Sequence, residues 1–536
     1  MQYDDLIIGA GSAGATLAAR LSAGGRRQVL LIEAGPDYRS ADTPAVMQSP
    51  NPSSIITLPD YADYRWDDLL CRRTQTQEPY VYWRGRGLGG SSAINGQIAI
   101  RAIPEDFDRW TAAGAEGWSF EDTLPAHRRL ETDLRYGEDP WHGSDGPIPI
   151  YRAPINRWGP VDQALGEAAL DAGFPWAPDH NAPGAIGVSP YAINNRESVR
   201  VSTNDAYLEP ARGRNNLTIR GNTLVEALLF DGDRCTGARV RTTAGTEVIQ
   251  AQRTLLCAGA VHSPAILQRS GIGPRSWLEE TGIEPWHELP VGENFQDHPL
   301  ISLILNLRPE YIPPPGFRHT NCCVRFPSEK PNGLPGDLMF VAMNRLGDSL
   351  GRSQAPTQAQ GIGMLGVWLN ACESRGEVRI QSGNPAAQPI IEANMLDTAN
   401  DRARLRIGLR KLMELAEHPA VDAIASSVQS SPAGFRGGRR NALTLRELAD
   451  LPDGDLDEFC LATAGDTQHG SCTCRMGAAD DPEAVVDSAC RVRGLRDLRV
   501  IDASVFPWMP CANTHLTTVM VAERMAEALL SDSGAS

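Results

Sequence analysis

Residues 6–14 read LIIGAGSAG, an apolar run followed at once by three glycines spaced as G-x-G-x-x-G. A helical pattern of apolar residues continues from 15 to 21, and a second apolar run, VLLI, occupies 29–32. A strand, a glycine turn, a helix and a second strand within about 30 residues predict a βαβ unit with a parallel sheet. The chain is therefore predicted to belong to the α/β class.

The three glycines have separate physical roles in such a turn. Gly9 permits the tight bend, Gly11 lets the backbone approach a pyrophosphate, and Gly14 lets the helix pack closely on the strand. The helix start offers free N–H groups to phosphates. Glu33 ends the second apolar run, where a carboxylate can accept hydrogen bonds from ribose hydroxyls. The pattern is typical of a dinucleotide-binding domain, and by itself it fits FAD and NAD equally well.

Composition narrows the class of protein and of partner. A chain of 536 residues predicts two to four folding units at about 150 residues per domain. Lys and Arg total 50 against 66 Asp and Glu, and this net charge of −16 argues against nucleic acid or an anionic membrane as the main partner. The eleven cysteines, without a leader or a long apolar run, predict reduced thiols in a cytoplasmic protein with no transmembrane segment.

Other stretches predict the remaining elements. We expect long irregular excursions at 36–80 and 130–200, because both are rich in proline and polar or glycine residues. Apolar patterns predict strands near 217–220, 225–230 and 254–259, antiparallel strands between about 300 and 400 such as 376–380, and helices at 400–418, 455–464 and about 515–530.

A second glycine-rich stretch, GRGLGGSSAING, occupies residues 85–96. Four glycines within six residues are costly to order, which indicates that backbone must come close to something. Ser91, Ser92 and Asn95 add hydroxyl and amide donors suited to a pyrophosphate or a flavin edge. The alternative is a glycine loop that packs only on its own protein.

At this point the sequence resembles the glucose–methanol–choline (GMC) family of flavin oxidoreductases. Residues 85–108 look like that family's first signature, and 259–273, GAVHSPAILQRSGIG, are similar to its second. The resemblance runs from about residue 3 to 528 and is weak between about 300 and 450. Its other segments are LIEAG at 31–35, VGENFQDH at 291–298, HGS at 469–471 and ANTH at 512–515.

The resemblance implies a bound FAD and oxidation of an alcohol CH–OH group by hydride transfer to the flavin. It implies a Rossmann-type FAD-binding domain plus a substrate domain with an antiparallel sheet backed by helices. We expect residues 1–299 to form the main part of the FAD domain and 300–455 the substrate-binding domain. Residues 456–536 are expected to return to the FAD domain and to carry the catalytic pair.

The resemblance also assigns the FAD-binding residues. The residues expected at the pyrophosphate are Gly9, Gly11, Ser12, Ala13 and Gly14, and those at the ribose are Glu33 and Ala34. Those along the flavin loop are Ser92, Asn95 and Gly96, and the one at the adenine is Val225. The segment that closes over the phosphate and flavin supplies Asp502, Ala503, Asn513 and Thr514. Some family members attach FAD covalently through a His just before the Asn95 position. Ile94 stands there in this chain and cannot form that bond, so we expect a non-covalent FAD.

Alcohol oxidation needs a base, because an alcohol gives up a hydride readily only if its hydroxyl proton leaves at about the same time. Neutral imidazole suits this role near neutral pH. His469 matches the family's base position, and Asn513 matches the second position, which holds His or Asn. Asn513 can hydrogen-bond the alkoxide oxygen but cannot take its proton. His515 is the competing base, since an extended 512–515 would place Asn513 and His515 on one face.

A metal site is the alternative role for this region. His469, Cys472 and Cys474 could be joined by Cys490 and Cys511, but H-x-x-C-x-C is not one of the usual zinc patterns. We therefore expect no metal and expect the cysteines to pack as small apolar residues.

Several functional questions stay open at the level of sequence. His262 and His298 are expected to bind backbone groups, and Phe506 and Trp508 suggest an apolar pocket for an aromatic or other small primary alcohol. The electron acceptor could be oxygen or a quinone-type carrier, and the oligomeric state stays unknown. The rival functions are a hydroxynitrile-lyase-like enzyme with structural FAD, an NAD-dependent dehydrogenase and a non-catalytic flavin-binding protein.

Overall fold

The structure is a computed structural model that describes residues 3–51, 59–330, 333–346, 361–431 and 442–532. Its helices are α1 (Ser12–Leu21), α2 (Ala45–Gln48), α3 (Pro104–Ala112), α4 (Phe120–Leu130), α5 (Pro160–Asp171), α6 (Glu209–Ala211), α7 (Gly259–Arg269), α8 (Arg275–Glu280), α9 (Ala399–Ala416), α10 (Pro419–Ile424), α11 (Leu445–Ala449), α12 (Asp453–Thr463) and α13 (Thr514–Asp532).

The strands of the described residues form two large sheets and three smaller ones. They are β1 (Tyr3–Ile8), β2 (Val29–Ile32), β3 (Leu70–Arg72), β4 (Tyr80–Val81), β5 (Glu131–Asp133), β6 (Ile148–Ile150), β7 (Gly187–Pro190), β8 (Asn195–Arg196), β9 (Val199–Arg200), β10 (Leu217–Arg220), β11 (Leu224–Asp231), β12 (Arg234–Thr242), β13 (Gly245–Leu256), β14 (Pro299–Leu307), β15 (Cys322–Phe326), β16 (Leu338–Met343), β17 (Ile362–Leu369), β18 (Glu377–Arg379), β19 (Ile390–Glu392), β20 (Ala425–Ser430), β21 (Gly465–Asp466) and β22 (Leu498–Val500).

The first large sheet confirms the predicted βαβ unit. Strands β10, β2, β1, β13 and β22 lie side by side and run parallel, and β12 and β11 extend the sheet in antiparallel fashion from the first half of β13. All four residues of β2 are buried, as are the last four of β1. Continuous apolar runs are typical of parallel strands because both faces are covered.

The C-terminal part of the chain returns to this first sheet. In β22, Leu498 lies opposite Thr254 of β13, and α13 packs against α1. A sequence-distant strand therefore completes the sheet that the first glycine turn begins. The exact domain boundaries at 299 and 455 stay a prediction.

The second large sheet is antiparallel, with the order β20, β14, β17, β16, β15 and β7. Its side chains alternate between two faces, as the pleat requires. One face, which carries Val367 and Leu338, packs against helix α9 near Gly408. The other face carries Leu300, Val341, Met364 and Trp368. These form a separate apolar cluster with Ile98 and Tyr191. The α/β fold with an antiparallel sheet backed by helices is thus confirmed.

The two excursions were predicted to be irregular, and this was wrong for parts of both. The segment 130–200 contains α5 and strands β5 to β9, and β7 joins the antiparallel sheet beside β15. In 36–80, β3 pairs with β19 and β4 in a four-stranded sheet. These strands have at most four residues, so pairing with distant partners rather than local propensity stabilises them. In α5, Pro160 begins the helix at a position where proline is tolerated.

The predicted helices agree with the structure within a few residues, as α9, α12 and α13 show. All eleven cysteines lie in the described ranges, and each is buried and unpaired. Within those ranges no helix is both long enough and apolar enough to cross a membrane.

Replacement of Gly14 by alanine tests the packing of the first turn. A Cβ at Gly14 would lie 1.9 Å from the Gly9 carbonyl oxygen, so strand and helix would have to separate. We expect Gly14→Ala to lose about 3 kcal/mol or more of unfolding free energy, at the upper end of what overpacking costs. Urea unfolding followed by tryptophan fluorescence measures the loss. The control is Gly24→Ala, which meets nothing within 4 Å, and an equal effect of both substitutions would contradict the explanation.

Candidate active site

A cavity of about 410 Å³ lies between the parallel sheet and the apolar face of the antiparallel sheet. The segments that follow β1, β2 and β13 line it on the side of the parallel sheet. This agrees with the rule that ligands bind at the carboxyl ends of parallel strands. The predicted cofactor residues that line it are Gly9, Gly11, Ser12, Ala13, Glu33, Ala34, Ser92, Asn95, Gly96, Val225, Asp502, Ala503, Asn513 and Thr514.

Gly14 is the predicted cofactor residue that does not line this cavity. A Cβ at Gly14 would lie 1.9 Å from the Gly9 carbonyl oxygen, so this position lets the helix pack closely on the strand, and its role at the pyrophosphate stays a prediction. The second glycine stretch touches the first one directly. A Cβ at Gly90, where φ is +49°, would lie 2.7 Å from the Gly11 Cα. The stretch at 85–96 therefore both packs on its own protein and lines the cavity.

The Glu33 carboxylate joins the two glycine stretches. Its Oε2 accepts a hydrogen bond from Ala10 N at 2.8 Å, and its Oε1 accepts from Gly35 N and Gly87 N, both at 2.9 Å. A carboxylate has about four lone-pair sites, so one acceptor site is left for a ligand. Glu33 thus holds the shape of the cavity as well as facing it.

The predicted catalytic pair comes together at the opposite end of the cavity. His469 follows β21 in a turn where Gln468 has φ of +66°, and Asn513 immediately precedes α13. The His469 Nε2 and Asn513 Nδ2 atoms lie 2.9 Å apart, and both residues line the cavity.

His298 fixes which nitrogen of His469 carries a proton. The His298 Nε2 lies 3.0 Å from the Pro510 carbonyl oxygen, which only accepts, so Nε2 is the protonated nitrogen. The His298 Nδ1 is then an acceptor, and it lies 2.9 Å from the His469 Nδ1, which must donate. In the neutral ring the His469 Nε2 therefore holds the lone pair, which accepts the hydrogen bond that the Asn513 amide donates.

The Asp297 carboxylate holds the backbone around these two rings. Its Oδ1 accepts from His298 N at 2.7 Å and from His469 N at 2.9 Å, and its Oδ2 accepts from the Tyr82 hydroxyl at 2.6 Å. Burial, with the nearby charge of Asp466, raises the pKa of Asp297. The hydrogen bonds that it accepts stabilise its ionised form against this burial.

The electrostatic surroundings keep both histidines neutral. Burial lowers the pKa of His298 to about 4. It also lowers the pKa of His469 well below its ordinary value, and His298 and Arg84 lower it further. A neutral His469 at pH 7 can accept a proton at Nε2.

His515 does not share a face with Asn513 as the competing hypothesis required. It lies in the first turn of α13, not in an extended segment, and its Nδ1 is 3.0 Å from the Ser12 hydroxyl. His515 therefore contacts the first glycine turn instead of the catalytic pair. Burial lowers its pKa to about 4, so its ring is neutral as well.

Two other histidine predictions have different outcomes. The prediction that His298 binds backbone is confirmed by its bond to the Pro510 carbonyl, but its bond to His469 was missed. The same prediction was wrong for His262, whose Nε2 lies 2.9 Å from the Gln388 side-chain oxygen while its ring stacks on Trp66.

The prediction that Phe506 and Trp508 form an apolar substrate pocket was wrong. Phe506 packs against Trp110, and Trp508 lies between the guanidinium groups of Arg109 and Arg375, so neither lines the cavity. Trp368 lines it instead, with its ring centroid 5.6 Å from that of His469. The alternation of side chains along β17 was the signal that could have found Trp368.

Two groups of the described residues bring possible metal ligands together, and neither includes Cys472 or Cys474. The first is Asp297, His298 and His469, whose ring nitrogens bind each other as described. The second is Glu131, Asp133 and His142, remote in sequence from the catalytic pair. Burial alone would lower the pKa of His142, but hydrogen bonds to Asp179 and Glu131 raise it to about 9. A protonated imidazole there favours an ion-pair network over a metal site.

Comparison with known proteins identifies the family. The GMC oxidoreductase N-terminal model matches residues 3–300 and the C-terminal model matches residues 372–522. The chain belongs to the GMC oxidoreductase family. It is therefore an FAD-dependent oxidoreductase that acts on alcohols. This identification sets aside the NAD-dependent dehydrogenase and the non-catalytic flavin-binding protein.

Similar proteins cover almost the whole chain. The chain is 34% identical over 540 residues to a 5-(hydroxymethyl)furfural oxidase from a Methylovorus species, with 98% of each chain covered. It is 33% identical over 563 residues to an oxygen-dependent choline dehydrogenase from Photobacterium profundum, covering 98% of this chain and 93% of that one. Among solved structures, pyridoxine 4-oxidase from Mesorbium loti is 30% identical with a TM-score of 0.87, with 99% of each chain covered.

The residues present fit FAD. The glycine turn and Glu33 line the cavity, and two further lining residues carry a buried polar atom without a partner among the described residues, Asn513 Oδ1 and His515 Nε2. Buried polar atoms are rarely left without a hydrogen bond, so these indicate a ligand with polar edges. The side chains and backbone of 9–13, 33–34, 91–96 and 513–515 would hold it.

The role of Glu33 can be tested by Glu33→Gln. The amide would turn an N–H₂ group toward a backbone N–H that now donates, and the affected donor would lose its partner at a cost of about 1–3 kcal/mol. We expect the purified variant to hold less than half of the FAD of the wild type, measured from the ratio of flavin to protein absorbance. Glu167→Gln on the exposed side of α5 is the matched control. Equal FAD content in the two variants would contradict the assigned role.

Proposed function

We propose that this enzyme oxidises a small, neutral primary alcohol, with an aromatic or similarly flat body, to the aldehyde. FAD supplies the hydride acceptor when bound, and oxygen or a quinone-type carrier is its electron acceptor. His469 is the general base of the reaction. The observation that carries the proposal is the lone pair of His469 Nε2, which faces the cavity beside Asn513.

The pair divides the work on the alcohol oxygen. His469 Nε2 takes the hydroxyl proton, and the Asn513 amide donates a hydrogen bond to the same oxygen as its charge develops. His298 holds the proton on Nδ1 of His469, so that Nε2 stays available. The Nδ1 proton has a second acceptor in the Thr467 hydroxyl, 2.7 Å away.

The residues that line the cavity near His469 support a flat, apolar substrate body. They come largely from the inner face of the antiparallel sheet and are Ile98, Tyr191, Leu300, Val341, Met343, Leu346 and Trp368. The Trp368 Nε1 is buried without a partner among the described residues, which favours a substrate with an acceptor atom.

The acidic residues of the cavity support a neutral alcohol over a quaternary ammonium alcohol. Within the described part of the chain, three carboxylates line the cavity. Glu33 accepts three backbone N–H bonds, Asp466 pairs with Arg73, and Asp502 accepts from Ser263 and from backbone N–H groups. The charge of Asp466 is already balanced by Arg73, and Glu33 and Asp502 are bound to the backbone segments predicted to hold the cofactor, so none of the three is placed as the counter-ion of a positively charged substrate.

His469→Ala tests the base directly. The alcohol would lose the acceptor of its proton, so we expect anaerobic flavin reduction to slow by about 10² to 10⁴ with the FAD content unchanged. Asn513→Ala should be milder because it leaves the base in place, and His515→Ala milder still because His515 binds Ser12. Rapid mixing with 5-(hydroxymethyl)furfural and with benzyl alcohol measures all three variants.

Two outcomes of this experiment would contradict the proposal. If His469→Ala reduces its flavin within a few-fold of wild type while His515→Ala does not, the base is wrongly named. If no alcohol bleaches the flavin of the wild type, while the protein cleaves a cyanohydrin, the enzyme is a lyase with structural FAD.

The positioning role of His298 has its own test. His298→Leu removes the acceptor for the Nδ1 proton of His469, so flavin reduction should slow about tenfold. His298→Asn, which returns an acceptor, should restore most of the rate. A rate of His298→Leu equal to that of the wild type, or a rate of His298→Asn as low as that of His298→Leu, would contradict this role.

The FAD is proposed to be non-covalent, because Ile94 stands where some family members carry an attaching histidine. Heat or acid denaturation of the yellow protein should release all flavin into the supernatant as intact FAD, identified by chromatography. Flavin that stays with the precipitated chain would contradict the proposal.

A further inference from the structure

Arg200 is a buried guanidinium beside the flavin loop. Its residue is 4% exposed, and it lies at the end of β9. Its Nε donates to the Met47 carbonyl at 2.7 Å, and its Nη1 donates to the Ser92 carbonyl at 3.1 Å and to Asn95 Oδ1 at 2.7 Å. Its Nη2 is buried with no hydrogen-bond partner among the described residues. All of its acceptors are thus neutral.

Arg318 approaches the same loop from another segment. Its Nη2 donates to the Gly96 carbonyl at 3.1 Å, its Nη1 donates to Gln97 Oε1 at 3.0 Å, and its Nε donates to the Thr320 carbonyl at 3.1 Å. These acceptors are also neutral. Two guanidinium groups therefore hold the consecutive residues 95–97.

Neither charge is balanced by an ion pair within the described ranges. The carboxylate whose charge acts on the Arg200 guanidinium is that of Asp205, and the one that acts on Arg318 is that of Asp162. Asp205 accepts from Ser40 and Ser202, and Asp162 accepts from the amide groups of residues 321 and 344. Both carboxylates are therefore bound to other groups.

Both arginines stay charged at neutral pH. Burial lowers the pKa of each guanidinium to about 9, and Arg318 contributes to the shift of Arg200 by repulsion. A buried charge without a counter-ion is costly, and such costs are typically found at functional sites, where a ligand completes the arrangement.

The orientation of Asn95 shows where that ligand lies. Its Oδ1 accepts from Gln97 N at 2.9 Å as well as from Arg200, so the oxygen is turned toward these two donors. The Nδ2 group, with its two hydrogens, donates to none of the described residues, and Asn95 lines the cavity. The Asn95 donors thus lie at the cavity, and the charge of Arg200 acts on His515, which binds Ser12 of the glycine turn. This combination suits an anion.

We propose that Arg200 and Arg318 form a cationic support behind residues 95–97, and that the FAD pyrophosphate is the anion that balances their charge. Arg200 also sets the Asn95 amide with its donors toward the cavity. The proposal rests on the FAD binding of the proposed function but not on the base or the substrate.

The test separates the contribution of charge to FAD binding from the contribution of hydrogen bonds, using the holoenzyme. The Kd of FAD is measured from the fluorescence of flavin released on dilution, for Arg200→Met, Arg200→Lys, Arg318→Met and Arg318→Lys. The methionine variants lose the charge, whereas the lysine variants keep it and lose most of the hydrogen bonds. We expect Kd to rise at least about tenfold in each methionine variant and less than about threefold in each lysine variant.

Arg325→Met is the matched control. Arg325 is buried, and among the described residues it donates to the backbone carbonyls of His180 and Cys511. It does not line the cavity. Its substitution should leave the Kd of FAD within about threefold of wild type. An equal rise in this control would show that any buried arginine matters, and it would overturn the proposal.

Two further results decide the remaining cases. Lysine variants that bind FAD as weakly as the methionine variants would overturn the proposed role of charge. If Arg200→Met does not fold, the proposal is tested by the Kd of FAD for Arg318→Met and Arg318→Lys, since Arg318 is only half-buried. A wild type that binds FAD tightly but oxidises no alcohol would refute the proposed function and leave this inference standing.

Discussion

A chain of three hydrogen bonds runs from the Pro510 carbonyl through His298 and His469 to Asn513, and its direction sets the chemistry of the site. The carbonyl can only accept, so each following group has one permitted role. The last acceptor of the chain is the lone pair of His469 Nε2, which lies at the cavity. Asp297 keeps the chain in place by holding the backbone of both histidines. A backbone oxygen thus determines where the enzyme can take a proton.

The two sheets of the fold bring this chain to the cofactor and the substrate. The parallel sheet ends in glycine segments that expose backbone to the cavity, and Glu33 ties these segments together. The antiparallel sheet presents one apolar face to helices and the other to the cavity. The catalytic residues lie between the sheets and line the cavity. Burial then keeps the imidazoles of His298 and His469 neutral, as a base requires.

Local patterns were sufficient to predict the βαβ unit of the first sheet and the long helices. Contiguous runs of residues encode the βαβ unit, Glu33 and α13. The period or spacing of each run is typical of one kind of structure. The pairing of His469 with Asn513 came from resemblance, and the structure brings the two together. By contrast, β7 and β3 are too short to be recognised without their partners, since distant strands stabilise them.

The site details that were missed depend on three-dimensional neighbours. His298 lies 171 residues before His469, and nothing in its local sequence tells which ring it contacts. Trp508 follows the same apolar pattern as a pocket residue, but two arginines cover its ring faces. The charge of Arg200 has meaning only because the groups around it are neutral carbonyl and amide oxygens.

The protonation of His469 can be observed by nitrogen NMR. The holoenzyme is labelled with ¹⁵N at the histidine rings, and His469 is assigned by comparison with His469→Ala. At pH 7 the spectrum should show a protonated Nδ1 and an unprotonated Nε2 for this residue. A proton on Nε2, or on both nitrogens, would contradict the direction of the hydrogen-bond chain and with it the role of His469 as the base.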